Sequence, residues 1–124
     1  MFPYERVKAW EFADQLAHAV YDETETWPTT ERYGLVSQAR RAAMSVAINI
    51  CEGSTKRGSR EYARFLDIAR GSQAELSYIL RFARWRGWVT ESAWATLEKL
   101  RAETSKCLWF LYRSVRRSAQ AAWS

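Results

Sequence analysis

The sequence predicts an all-α fold, an up-down-up-down antiparallel four-helix bundle, on three observations. Apolar residues recur at helical spacing through almost the whole chain. Pro3 and Pro28 are the only prolines, and five glycines fall as punctuation between or within the periodic segments. No stretch alternates apolar and polar residues between turn signals, so strands are not expected. At 124 residues, 48% apolar and 27% charged, the chain is expected to form a single domain spanning 1–124 with a real core.

The first segment, about Arg6 to Thr26, places Ala9, Trp10, Ala13, Leu16, Ala17, Val20 and Tyr21 on one face. Trp27 precedes Pro28 and is pushed out of the helical region, which ends it. Thr29 or Thr30 can cap a short turn, and Gly34 interrupts before the second helix. That helix, about Leu35 to Glu52, has a face of mostly small residues: Leu35, Ala39, Ala42, Ala43, Val46 and Ile50. Gly53 is the expected stop.

The third helix is expected to follow Ser59 as N-cap, with Glu61 in the first turn favoured by the helix dipole. Its core face is Tyr62, Phe65, Leu66, Ala69, Ser72, Leu76, Ile79, Leu80 and Ala83. Gly71 interrupts this helix, and a close helix crossing is expected to offset its cost of up to about 1 kcal/mol. Gly87 stops the helix and Thr90 caps the fourth. The fourth carries Trp94, Leu97, Leu100, Thr104, Cys107, Leu108, Leu111, Tyr112 and Val115, close to a heptad seam. Four helices of about 25 residues, roughly 37 Å each, are expected to match in length. The tail "SVRRSAQAAWS" extends the fourth helix or frays from it.

Charge is unevenly placed. Residues 1–34 hold three Lys/Arg against seven Asp/Glu, whereas residues 35–124 hold sixteen against seven. The overall +5 favours an anionic partner, and nucleic acid is the one expected. No apolar run is long enough for a membrane span, and the charged N-terminus does not read as a secretory signal, so a cytoplasmic location is expected. Cys51 and Cys107 sit in helical patterns without a metal-ligand spacing, and two reduced, buried thiols are expected.

Enzymatic readings find little support. "GSTKRGSR" spaces Gly53 and Gly58 like the first half of a P-loop, but Gly58 is followed by Ser59-Arg60 instead of Lys-Ser/Thr, and a helix precedes it. His18, the only histidine, has no motif pairing it with a nucleophile. A two-metal bundle site needs Glu-x-x-His pairs, and none occurs, so neither a metal nor a cofactor is expected. Glu52 and Glu75 as acid or base lack a partner.

Two other features stand out. Gln38, Arg41, Ser45, Asn49 and Glu52 share a face of the second helix. They read either as a solvated stripe or as a structural polar network to which Ser72 and Glu75 contribute. "RFARWRGW", Arg81 to Trp88, interleaves rings with arginines. It reads as a subunit interface or, less favoured, as a base-stacking surface including Trp85 and Trp88.

The stretch from Trp27 to Leu76 closely resembles the four-helix-bundle proteins encoded in intervening sequences of bacterial 23S ribosomal RNA genes. The resemblance rests on Trp27-Pro28, Glu31, Tyr33-Gly34-Leu35, Gln38, Arg40-Arg41-Ala42-Ala43 and Ser45. It continues through Asn49-Ile50, Glu52-Gly53, Ser59, Glu61, Ala69, Gly71-Ser72 and Glu75. Departures are mild: Val46 for isoleucine, Cys51 for alanine and Tyr62 for phenylalanine. The first helix also fits. The resemblance implies a bundle assembling as a barrel-like homopentamer. The same family includes the accessory variability proteins of diversity-generating retroelements, which are basic pentamers that bind nucleic acid and a reverse transcriptase. No catalytic residues carry over.

Two function classes follow. The first is a non-enzymatic nucleic-acid-binding oligomer, favouring RNA, with phosphate contacts from Lys56, Arg57, Arg60 and Arg64 in one patch and Arg113, Arg116 and Arg117 in another. The second is a protein-interaction scaffold in which the acidic first helix, with Glu11, Asp14 and Asp22, packs on a neighbour's basic helix.

Overall fold

The structure, a computed structural model, describes residue 4 and residues 7–123, with side chains through 121. Four helices form: α1 Lys8–Thr24, α2 Leu35–Ser54, α3 Ser59–Trp85 and α4 Glu91–Trp123, with a short 3-10 turn at Thr29–Glu31. The expected start of the first helix near Arg6 lies outside the described residues. No strand occurs among the described residues.

Packing follows the amphipathic faces. α1 packs on α2 and α4, α3 packs on the same two, and the diagonal pairs do not pack. That arrangement is a square, up-down-up-down bundle, the solution expected of four amphipathic helices with short links. Two clusters fill it. Leu16, Val20, Trp27, Val36, Ala39, Leu76, Leu80, Ala83 and Leu97 occupy one end, and Ala9, Ala13, Val46, Ile50, Leu66, Ala69, Leu108 and Tyr112 the other.

The chain ends its helices by recognisable devices. At the α1 terminus the Thr24 hydroxyl donates to the Val20 carbonyl at 2.8 Å. Arg40 of α2 reaches across: Nε donates to Thr24 Oγ1 at 2.9 Å, and Nη2 to the Tyr21 carbonyl and to Glu25 Oε1. One guanidinium thus satisfies a helix-end carbonyl and pins α1 to α2. Trp27, only 4% exposed, then closes the bundle end against Trp88, with ring centroids 5.6 Å apart. Pro28 opens the following turn, without the side-chain cap expected from Thr29 or Thr30. α3 stops at Gly87, whose φ of +80° lets the Gly87 and Trp88 amides bond back to the Arg84 and Ala83 carbonyls. Thr90 caps α4, its hydroxyl accepting from the Ala93 amide at 3.2 Å.

Several expectations are corrected. Gly53 does not stop α2; it is buried within the helix, which runs one residue beyond it. A Cβ there would lie 2.9 Å from Tyr62 Cδ1 and 3.0 Å from Phe65 Cβ, so Gly53 is the point where α3 crosses close to α2. Conversely, Gly71 is exposed and a Cβ there would meet nothing within 4 Å, so the expected crossing is absent from this chain. Ser59 is the first residue of α3, and the N-cap is Gly58 at φ +84°. The helices are unequal at 17, 20, 27 and 33 residues, and the tail continues α4. Tyr21, expected in the core, is 41% exposed. Both thiols are free, as expected, but half-buried rather than buried.

Gly53→Ala is expected to lower stability by about 1–2 kcal/mol, because overpacking against the backbone-fixed Phe65 Cβ outweighs the gain in helix propensity. Gly71→Ala is expected to raise the stability of the isolated chain by up to about 1 kcal/mol. Urea unfolding midpoints read both, and an unchanged or raised midpoint for Gly53→Ala would count against the close crossing.

Candidate nucleic-acid interface

Antiparallel packing of α3 on α4 sets the register of this face. The start of α3 lies beside the end of α4, and the two basic patches read from the sequence meet there. Arg60 and Arg64 of α3 line one open cleft of about 850 Å³ with Arg116 of α4, together with Glu61, Asp67, Tyr112 and Gln120. Lys56 and Arg57, in the turn before α3, and Arg113 and Arg117, on α4, are exposed and do not line it.

Two of the cleft arginines, Arg64 and Arg116, are braced by neighbours. Arg64 pairs with Glu61 one turn earlier, Nε to Oε1 and Nη2 to Oε2 both at 3.3 Å, and its guanidinium lies 4.8 Å from the Phe65 ring centre. The Lys56 ammonium approaches the same ring at 5.0 Å. Arg116 donates to the Tyr112 hydroxyl at 3.1 Å. Exposed pairs of this kind contribute roughly 0–1 kcal/mol, so they orient the guanidinium groups without locking them away from an anion. The dipole at the α3 N-terminus adds to the positive side of the balance.

One residue of this surface was not singled out from the sequence. Arg70 sits 5.0 Å from the Trp109 ring centre and 4.5 Å from that of Tyr112, and pairs with Asp67 at 3.2 Å. Its spacing from Arg64 and Asp67 on one helix face was legible. The aromatic partners, which belong to α4, were not.

The stripe of polar residues divides in two. Ser45 Oγ and Ser72 Oγ are 2.7 Å apart, and Asn49 Nδ2 donates to the Ser45 carbonyl and hydroxyl at 2.8 and 3.1 Å. These three tie α2 to α3. Gln38, Arg41, Glu52 and Glu75 are exposed and do not join that cluster. A second polar link was missed: Gln73, buried in α3, donates from Nε2 to the Arg101 carbonyl and to Ser105 Oγ, with its own Oε1 unpartnered. Glutamine on an otherwise apolar face was the available signal.

The aromatic–arginine run also divides. Trp88 is half-buried against Trp27 and Phe82 and belongs to the bundle end. Trp85 is 81% exposed. Elsewhere, His18 is exposed with Nε2 3.5 Å from Asp14 Oδ1. Burial, and secondarily the charge of Glu52, push the Cys51 thiol above its ordinary range, away from nucleophilic use. Among the described residues no three His, Cys, Asp or Glu side chains converge as a metal site. None of the described helices is long and apolar enough to cross a membrane.

Comparison with curated proteins gives no match. The model of the family described as 23S rRNA-intervening sequence protein matches residues 5–109, which covers α1 to α3 and most of α4 but stops short of Arg113, Arg116 and Arg117. With a four-helix bundle in place and the match extending over most of its length, the chain belongs to the 23S rRNA-intervening sequence protein family.

Proposed function

We propose that this protein is a non-enzymatic, basic, homo-oligomeric nucleic-acid-binding accessory protein that favours RNA. The observation that carries this reading is the cleft in which Arg60, Arg64 and Arg116 converge from two helices. Three guanidinium groups face two carboxylates there, and Lys56, Arg57, Arg113 and Arg117 extend the positive surface outside it. Arginines converging at the rim of a groove suit contacts to a phosphate backbone, which fix position without reading sequence. The retroelement branch of the family suggests a reverse transcriptase as protein partner for such an RNA binder.

The homo-oligomer, a pentamer by family resemblance, is supported by the opposite face. Between α1 and α2 an apolar groove of about 520 Å³ is lined by Trp10, Tyr21, Met44, Ile48 and Cys51, with Asp14 and His18 at its polar side. Met44 and Ile48 are 39% and 44% exposed, a cost in water that a second copy would remove. The acidic α1 beside this groove complements the basic helices of a neighbour. The same groove favours the second reading, a scaffold of the intervening-sequence type with no direct nucleic-acid role.

RNA binding is expected to fall steeply between about 50 and 200 mM salt. Arg60→Glu combined with Arg116→Glu should weaken it at every sequence tested and flatten the salt dependence by about one unit of slope per lost contact. Absence of binding by the wild-type protein at low salt would leave only the scaffold reading. Separately, Met44→Glu with Ile48→Glu is expected to reduce the sedimenting species from oligomer to monomer, and Asp14→Lys to weaken it. A wild-type monomer in sedimentation would remove the oligomer from the proposal.

A further inference from the structure

Towards the other end of the α3–α4 face lies a second cavity of about 590 Å³, within the range typical of ligand pockets. Arg81, Arg84 and Trp85 of α3 line it with Trp94, Glu98 and Arg101 of α4. Its charges are unevenly matched. Arg101 is engaged by Glu98, Nη2 to Oε1 at 2.6 Å and Nε to Oε2 at 2.8 Å. That hydrogen bond holds the Glu98 carboxyl below the ordinary carboxylate range, with the Arg101 and Arg84 charges acting the same way, so the pair stays ionised. Arg84 stacks on Trp94, its Cζ 4.6 Å from the ring centre, which leaves the guanidinium edge free to donate. Arg81 is exposed and makes no hydrogen bond or ion pair among the described residues. Trp85 is an 81% exposed ring at the mouth.

Each half of this pocket excludes a simple occupant. A bare anion would satisfy the arginines and leave the Trp85 ring in water. An apolar protein surface would cover the ring and bury Arg81 without counter-charge, and Arg84 with only a share of the Glu98 carboxylate that Arg101 already engages, which is strongly unfavourable. A ligand with a flat π-face and an attached phosphate satisfies both. We propose that this pocket binds a nucleotide, its base stacked on Trp85 and its phosphate held by Arg81 and Arg84. Such a nucleotide is either free or an unpaired residue of a single strand; a base inside a duplex offers no open face to the ring. The site is separate from the Arg60–Arg116 cleft and stands whether or not that cleft binds RNA.

The test follows the Trp85 indole N–H resonance, assigned by its loss in Trp85→Phe, during titration with AMP, an eight-residue adenylate RNA and a blunt RNA duplex. AMP and the oligomer should shift it saturably and the duplex should not. Read by calorimetry, since the variant lacks the resonance, Trp85→Ala should weaken the bound ligand by about tenfold or more, the contribution expected of one stacked base, and Arg81→Glu should weaken it as well. Equal affinity for AMP and the oligomer assigns a free nucleotide, and an oligomer at least about tenfold tighter assigns a single strand. AMP binding should survive Arg60→Glu with Arg116→Glu; its loss there would overturn the separate site. An unmoved Trp85 resonance with both ligands, or a change of sedimenting mass in Trp85→Ala that assigns this face to a protein interface, would overturn the proposal outright.

Discussion

The close crossing of α2 on α3 is the constraint from which the rest of the bundle follows. The inward face of α2 is made of Val36, Ala39, Ala42, Ala43, Val46, Ala47, Ile50 and Gly53. Small side chains let a neighbouring backbone approach, and at Gly53 the approach is so close that even a methyl group would strike Tyr62 and Phe65. This contact sits in the last turn of α2, directly at the α2–α3 corner, so it sets how the chain re-enters the bundle. The hydroxyl contact between Ser45 and Ser72 holds the same pair of helices further along. Once α3 is placed, α4 can only return along its other side, and the opposition of Arg60 and Arg64 to Arg116 is decided.

This geometry sorts the charges and rings by face. The α3–α4 face carries arginines at both ends, the cleft at one and the Trp85 pocket at the other, with Gln73 joining the helices between them. The α1–α2 face carries the apolar groove and acidic residues of the first helix. A bundle whose opposite faces differ this much in polarity suits an assembly that buries one and leaves the other open to an anion.

Much of the bundle was legible from periodicity. The faces of α2 and α3 read from the sequence capture most of the buried residues, because a 3.6-residue period constrains what points inward. Leu35, Tyr62, Phe65 and Ser72 lie at their edges and are half-buried, and Val36, Ala47 and Gln73 are buried beside them. Glycine was the hardest residue to read. Gly53 looked like a stop and proved to be a packing surface, whereas Gly71 looked like a packing surface and faces open space. Spacing alone does not say whether a missing side chain makes room for a neighbour. Cysteine failed similarly: Cys51 and Cys107 lie at the edge of their apolar faces, where burial depends on how wide each helix seam opens.

The sequence by itself determined the helices, their caps at Thr90 and Gly87, the apolar stripes and the asymmetry of charge, since these depend on local backbone preference and periodicity. Only the tertiary structure decided which arginines share a cleft, which of Trp85 and Trp88 remains in water, and which of the polar residues on α2 finds a partner. Each depends on the register of one helix against another. That register is set by packing contacts between residues far apart in the chain, such as Gly53 against Phe65 and Gln73 against Ser105, and no local pattern encodes it.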